Sequence, residues 1–139
     1  MFDRCLYFNV NALARVVNKK WAKAFEKYDL SPSHGYMLRV ILSNPGVSQK
    51  YLAEELHLEK STITRFVDSL QEKGLVVRKK GNTGDARKLN IYATKQAKAI
   101  HAELEELGNS LYQSMVSNLG AKNLKLLVGM LRESEKKLE

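Results

Sequence analysis

A single cysteine, Cys5, occurs in the chain, and that scarcity already removes several classes of protein. One thiol closes no internal disulfide and builds no cysteine-based metal site, and His34, His57 and His101 are too far apart in sequence to show ligand spacing. No apolar run approaches the roughly 20 residues needed to span a bilayer, and the N-terminus lacks the charged-then-apolar pattern of a secretory signal. A cytoplasmic protein without membrane partner is therefore expected. Also missing are the metal-binding H-E-x-x-H, the phosphate-cradling G-x-x-x-x-G-K and the G-x-S-x-G nucleophile elbow. Cys5 with a distant His34 is the one nucleophile and base that can be paired on paper. Neither catalysis nor a cofactor nor a metal is expected.

What is present is a globular composition, 44% hydrophobic and 27% charged over 139 residues, the size of one ordinary domain. The formal charge of +8 attracts anionic partners, of which nucleic acid is the commonest for a small basic protein. A membrane surface or an acidic protein is the rival, since basic amphipathic stretches serve either.

Periodicity divides the chain. Leu6, Val10, Leu13, Val17, Ala24 and Tyr28 put one apolar stripe on a long first helix. Ser31-Pro32 opens a second helix, with serine as cap and proline at the first helical position, and Asn44-Pro45-Gly46 closes it. Ser48 caps a short third helix carrying Leu52 and Leu56. A fourth, from about Lys60 to Lys73, buries Ile63, Phe66, Val67 and Leu70, turns Ser61, Thr62, Arg65, Asp68 and Ser69 outward, and stops at Gly74. Leu75–Arg78 and Leu89–Tyr92 read as strands of a hairpin with a Gly-rich basic tip. Thr94 caps a long fifth helix with the stripe Ala97, Ile100, Leu104, Leu107, Leu111 and Met115. After Gly120 a last helix carries Leu124, Leu127, Val128, Leu131 and Leu138.

Short helix, turn, amphipathic helix and basic hairpin, in that order, make a winged helix-turn-helix. The fold class expected is mainly α with a small β-hairpin wing: a winged helix-turn-helix lobe over 31–94, flanked by long dimerisation helices over 1–30 and 95–139. Charge is divided unevenly inside the lobe. Over 74–94, Arg78, Lys79, Lys80, Arg87 and Lys88 stand against Asp85 alone, whereas over 59–73 Lys60, Arg65 and Lys73 balance Glu59, Asp68 and Glu72. The wing is then the electrostatic focus and the fourth helix the reader of base edges. Arg65 has the planar fork that pairs with guanine O6 and N7, and Ser61, Thr62 and Thr64 are short enough for base-edge or phosphate contacts. The rival reading makes Arg65 and Asp68 a solvated helix pair and the wing a plain basic turn.

The string S-Q-K-Y-L-A-E-E-L-H-L-E-K-S-T-I-T-R-F-V-D-S-L-Q-E-K-G-L-V-V-R, then G-D-A-R-K-L-N-I-Y-A-T, resembles the multiple antibiotic resistance regulator (MarR) family, in its L-A-x-x-L core, S-T-I-T-R helix, K-G-L-V-x-R entry and D-x-R wing signature. The resemblance implies a sequence-specific, ligand-responsive repressor that binds pseudo-palindromic double-stranded operator DNA as a homodimer. Ser48, Gln49, Lys50, Ser61, Thr62, Thr64, Arg65, Arg78, Lys80, Asp85, Arg87 and Lys88 are the expected DNA-binding residues. The position of Arg65 implies the major groove and that of Arg87 the minor groove, with Asp85 orienting Arg87. An effector of unspecified identity is a further expected partner, with Trp21, His34, Tyr36, Arg39 and Tyr112 as candidates by helix position, each also fit for ordinary packing or surface. Cys5 is a redox candidate because one branch of the family has a reactive cysteine near the start of its first helix. Lys19 and Pro32 stand near the places of that branch's supporting tyrosines.

Overall fold

The computed structural model describes residues 1–80 and 89–139, which form two compact units, 1–104 and 105–139. The chain order is α1 (Leu6–Phe25), a 3-10 turn (Glu26–Tyr28), α2 (Pro32–Ser43), α3 (Gln49–Leu56), α4 (Lys60–Glu72), β1 (Val76–Lys80), β2 (Leu89–Ala93), α5 (Lys95–Ala99), α6 (His101–Leu119) and α7 (Ala121–Leu138). This is the mainly helical, hairpin-bearing architecture that the sequence pattern predicts.

The helix boundaries follow from capping chemistry. The Ser31, Ser48 and Thr94 hydroxyls accept the backbone N–H groups of His34, Tyr51 and Ala97, satisfying donors that the first helical turn leaves free. Gly74 and Gly120 take positive φ, 74° and 87°, where the chain must leave a helix. In the first unit, Phe25, Met37, Leu38, Ile41, Leu52, Ile63, Val67, Leu70, Val76 and Ile91 are buried and form the core. α2 approaches Phe25 so closely that a Cβ on Gly35 would collide with its ring.

Three features differ from the sequence expectation. α1 stops at Phe25, and Tyr28 falls in the 3-10 turn, which Asp29 ends in the left-handed conformation at φ 52°. The fifth helix is not continuous: the backbone breaks at Ile100, whose N–H donates to the Ala97 carbonyl, so α5 and α6 are separate helices. The hairpin also gains a bridge from the loop after α2. Val47 pairs antiparallel with Ile91, and the Gly46 N–H donates to the Ile91 carbonyl at 3.1 Å.

β1 starts and ends later than periodicity places it, whereas β2 starts at Leu89 as expected and runs one residue further, with Val76 opposite Ala93 and Lys80 opposite Leu89. In the second unit, Leu107, Leu111 and Met115 of α6 are half-buried, and α7 buries no residue. Leu104, by contrast, is fully buried within the first unit, so that part of the expected interface stripe belongs to the chain's own core.

Candidate nucleic-acid interface

The α3–α4 turn begins at His57, which adopts φ 55° and closes α3 through its N–H to the Ala53 carbonyl. Leu58 donates to the same carbonyl, and α4 restarts at Lys60. One face of α4 is fixed by Ile63, Val67 and Leu70, all fully buried, with Phe66 half-buried. The opposite face is therefore committed to solvent: Ser61, Thr64 and Arg65 are exposed and Thr62 half-buried. The Thr64 hydroxyl lies 3.0 Å from Gln49 Oε1 and 3.1 Å from the Lys60 carbonyl, joining the start of α3 to the first turn of α4. Ser48 and Lys50, also exposed, flank that contact, and the Ser48 hydroxyl is engaged as the α3 cap.

Arg65 and Asp68 do not form the solvated pair that their spacing permits. The Asp68 carboxylate instead receives Arg78 Nη2 at 2.7 Å, across from β1. Arg78 also donates to Gln71 Oε1 at 3.0 Å and reaches the Thr64 carbonyl at 3.4 Å, which leaves its side chain only 16% exposed. Arg65 makes no hydrogen bond or ion pair among the described residues. Of the other wing residues singled out from sequence, Lys80 is exposed at the end of β1, while Asp85, Arg87 and Lys88 lie outside the described residues. Lys79 stands 5.7 Å over the Tyr92 ring, and that ring's hydroxyl would meet a Cβ on Gly46 at 2.9 Å. The small residue in Asn44-Pro45-Gly46 thus lets the loop close on the hairpin.

The effector candidates separate into three places. Trp21 Nε1 donates to the Tyr36 hydroxyl at 3.1 Å, and the Arg39 guanidinium lies 5.1 Å over the Tyr36 ring, so these three meet on α1 and α2. His34 is elsewhere: its Nδ1 is 2.6 Å from the Ser31 hydroxyl and its ring 4.4 Å from that of Phe66. Burial, and after it the positive charge of Lys73, pushes the His34 pKa below the usual 6.5. Tyr112 is exposed in the second unit. A cavity of about 430 Å³ in the first unit is lined by Lys27, Tyr28, Asp29, Lys73, Leu75, Gln96 and Ile100, and includes none of the five. Sequence reading missed it because its walls come from three separate stretches of chain, 27–29, 73–75 and 96–100. Cys5 is half-buried at the N-cap of α1, and its carbonyl accepts the Asn9 side-chain amide at 2.8 Å. Among the described residues no His, Cys, Asp or Glu group is placed to hold a metal, and no helix is long and apolar enough to cross a membrane.

Comparison with known proteins finds a match to the MarR family over residues 28–88. The chain is 33% identical, over 96 residues, to a putative transcriptional regulatory protein for the hcr operon of Thauera aromatica, a stretch covering 69% of this chain and 57% of that relative. It is 27% identical over 128 residues to the HTH-type transcriptional regulator SarZ of Staphylococcus aureus, covering 92% of this chain and 83% of SarZ. Among solved structures it is similar to the transcriptional repressor CouR bound to a 23-mer DNA duplex, with TM-score 0.84, 21% identity and coverage of 96% and 94%. It is similar also to the S. aureus MepR–DNA complex, with TM-score 0.82, 19% identity and coverage of 95% and 96%. At such identities the two structures establish the fold. The matched relatives are regulators of transcription, not enzymes.

Proposed function

Because the chain belongs to the MarR family, we propose that it binds duplex operator DNA as a homodimer, with residues 31–94 as the DNA-binding lobe and 1–30 and 95–139 as the dimerisation region. One observation carries this reading: the exposed face of α4 bears Ser61, Thr64 and an Arg65 without an ion-pair partner among the described residues, on a helix whose other face is locked into the core. A helix so held, with a free guanidinium fork, suits the major groove, where arginine pairs in bidentate fashion with guanine. Ser48, Gln49 and Lys50 at the start of α3 supply phosphate contacts, and Lys80 and Lys88 carry the wing along the backbone, with Arg87 in the minor groove and Asp85 orienting it.

Dimerisation accounts for apolar surface that a lone chain leaves in water. Leu6, Tyr7, Val10, Leu13 and Val16 of α1 are exposed, as are Leu126, Val128, Met130 and Leu131 of α7. A two-fold dimer presents two recognition helices and two wings, and so reads a pseudo-palindrome. Its regulatory action is that of a repressor released by a small-molecule effector, for which the Trp21–Tyr36–Arg39 cluster is the seat assigned here. The experiment is selection of bound fragments from a random duplex pool, followed by a salt titration. An inverted repeat with half-sites centred about 10–10.5 bp apart, or a multiple of that, and a steep loss of affinity with salt are expected. Retention of no sequence above background would refute the reading.

A further inference from the structure

Thr64, Asp68 and Gln71 follow one another at four- and three-residue spacing, which lines them along a single stripe of α4. Arg78, on the third residue of β1, spans that stripe: 2.7 Å to the Asp68 carboxylate, 3.0 Å to the Gln71 amide oxygen and 3.4 Å to the Thr64 carbonyl. With these acceptors engaged and little of the side chain exposed, Arg78 has few donors left for a phosphate. On the same helix Asp68 stands three residues after Arg65, the spacing at which a carboxylate and a guanidinium ordinarily pair. In the structure that carboxylate is taken by Arg78, and Arg65 has no such partner among the described residues.

We infer that Arg78 is a positioning residue: it withdraws Asp68 from Arg65, leaving the Arg65 fork free to read a base, and in the same contact fastens the first strand of the wing to the recognition helix. This rests on the DNA-binding reading above and gives Arg78, expected from sequence to bind DNA, an indirect role in that binding. A lysine cannot replace it, because one ammonium lacks the planar fork that bridges Asp68 and Gln71 together. Loss of Arg78 therefore does two separable things. It lets Asp68 swing to Arg65 and compete with the base, and it loosens β1.

The test compares Arg78→Lys, Arg78→Gln, Asp68→Asn/Arg78→Gln and Lys80→Gln in the full chain, against the cognate duplex and duplexes altered at the Arg65-contacted base pair. Arg78→Lys and Arg78→Gln are expected to lose about tenfold in discrimination between these duplexes, the scale of one good base contact. Their slope of log affinity against log salt stays that of the wild type. Lys80→Gln lowers that slope by roughly 0.9, as loss of one phosphate contact does, and keeps discrimination. Adding Asp68→Asn to Arg78→Gln restores discrimination, because the competing carboxylate is gone; a defect of folding alone is not rescued in this way. A DNA-free arm follows amide exchange of residues 76–80, which quickens in both Arg78 variants. Wild-type behaviour of Arg78→Lys together with a slope reduced by about 0.9 in Arg78→Gln would make Arg78 a phosphate contact and overturn the inference. So would discrimination that the double substitution fails to recover, or exchange over 76–80 that is unchanged. If no variant, nor the wild type, selects any duplex, the DNA-binding reading fails, and the exchange arm alone then decides whether Arg78 fastens the strand.

Discussion

Helices α4 and α7 carry apolar stripes of similar spacing, and the two stripes have opposite fates. Ile63, Val67 and Leu70 of α4 are completely buried, whereas no residue of α7 is buried and Val128, Leu131 and Leu138 stand exposed. Periodicity therefore tells that a helix has an apolar face, but not what covers it. Within the first unit the cover is the chain itself. For α7 we assign it to a second copy, since so much exposed apolar surface on a regulator marks an interface.

Substitution on each stripe separates these fates. Ile63→Ala, in the sealed core, is expected to cost about 2–5 kcal/mol of folding stability, read from the shift of the denaturant midpoint. An effect under about 1 kcal/mol would show that the α4 stripe is looser than its burial implies. Leu131→Asp should leave the fold of the single chain nearly unchanged, because the site is solvated there. It should weaken the dimer by more than about 2 kcal/mol, since association would bury an unpaired carboxylate. Sedimentation at micromolar concentration checks this, with circular dichroism confirming the fold; a folded variant that stays dimeric removes α7 from the interface.

Much of this division is legible in the residues. Ser31, Ser48 and Thr94 announce helix starts, Gly74 and Gly120 announce ends, and the inward face of α4 follows from the spacing of Ile63, Val67 and Leu70. Local chemistry writes those signals. The break at Ile100 is silent because neither glycine nor proline marks it among the good helix formers around it. The Val47–Ile91 bridge and the capture of Asp68 by Arg78 join residues 44 and 10 positions apart, so no local window contains their cause. The outward face of α4 could be read from spacing, but the lack of an Arg65 partner among the described residues could not. It depends on where β1 places Arg78.

Smaller effects sharpen the contrast at the helix that precedes the recognition helix. Ser48→Ala removes the acceptor of the Tyr51 N–H and should cost about 1 kcal/mol, with a larger relative loss of DNA affinity than an equally destabilising change on α7. Equal losses would mean that the α3 start only contributes stability. The smallest effect concerns His34, packed on Phe66 beneath α4. Its pKa is depressed in the fold, so the folded chain binds fewer protons than the unfolded one. His34's contribution is then fully present above the ordinary value of 6.5 and declines as pH falls from there through the folded pKa. Melting temperatures of wild type and His34→Gln, compared between pH 7.5 and pH 5.5, should show the steeper fall in the wild type; parallel curves would deny His34 this role.

The most direct measurement sets the α4 face against the wing by titrating Arg65→Ala and Arg87→Ala with the cognate duplex and with duplexes singly altered in each half-site, at several salt concentrations. Arg65→Ala is expected to cost about 1–3 kcal/mol on the cognate site and much less where its base pair is already changed, relaxing specificity at one symmetric position. Arg87→Ala should weaken every duplex by a similar factor and flatten the salt slope by roughly 0.9 for each phosphate neutralisation lost. Equal losses on all duplexes for Arg65→Ala, or no loss for either variant, would contradict these roles.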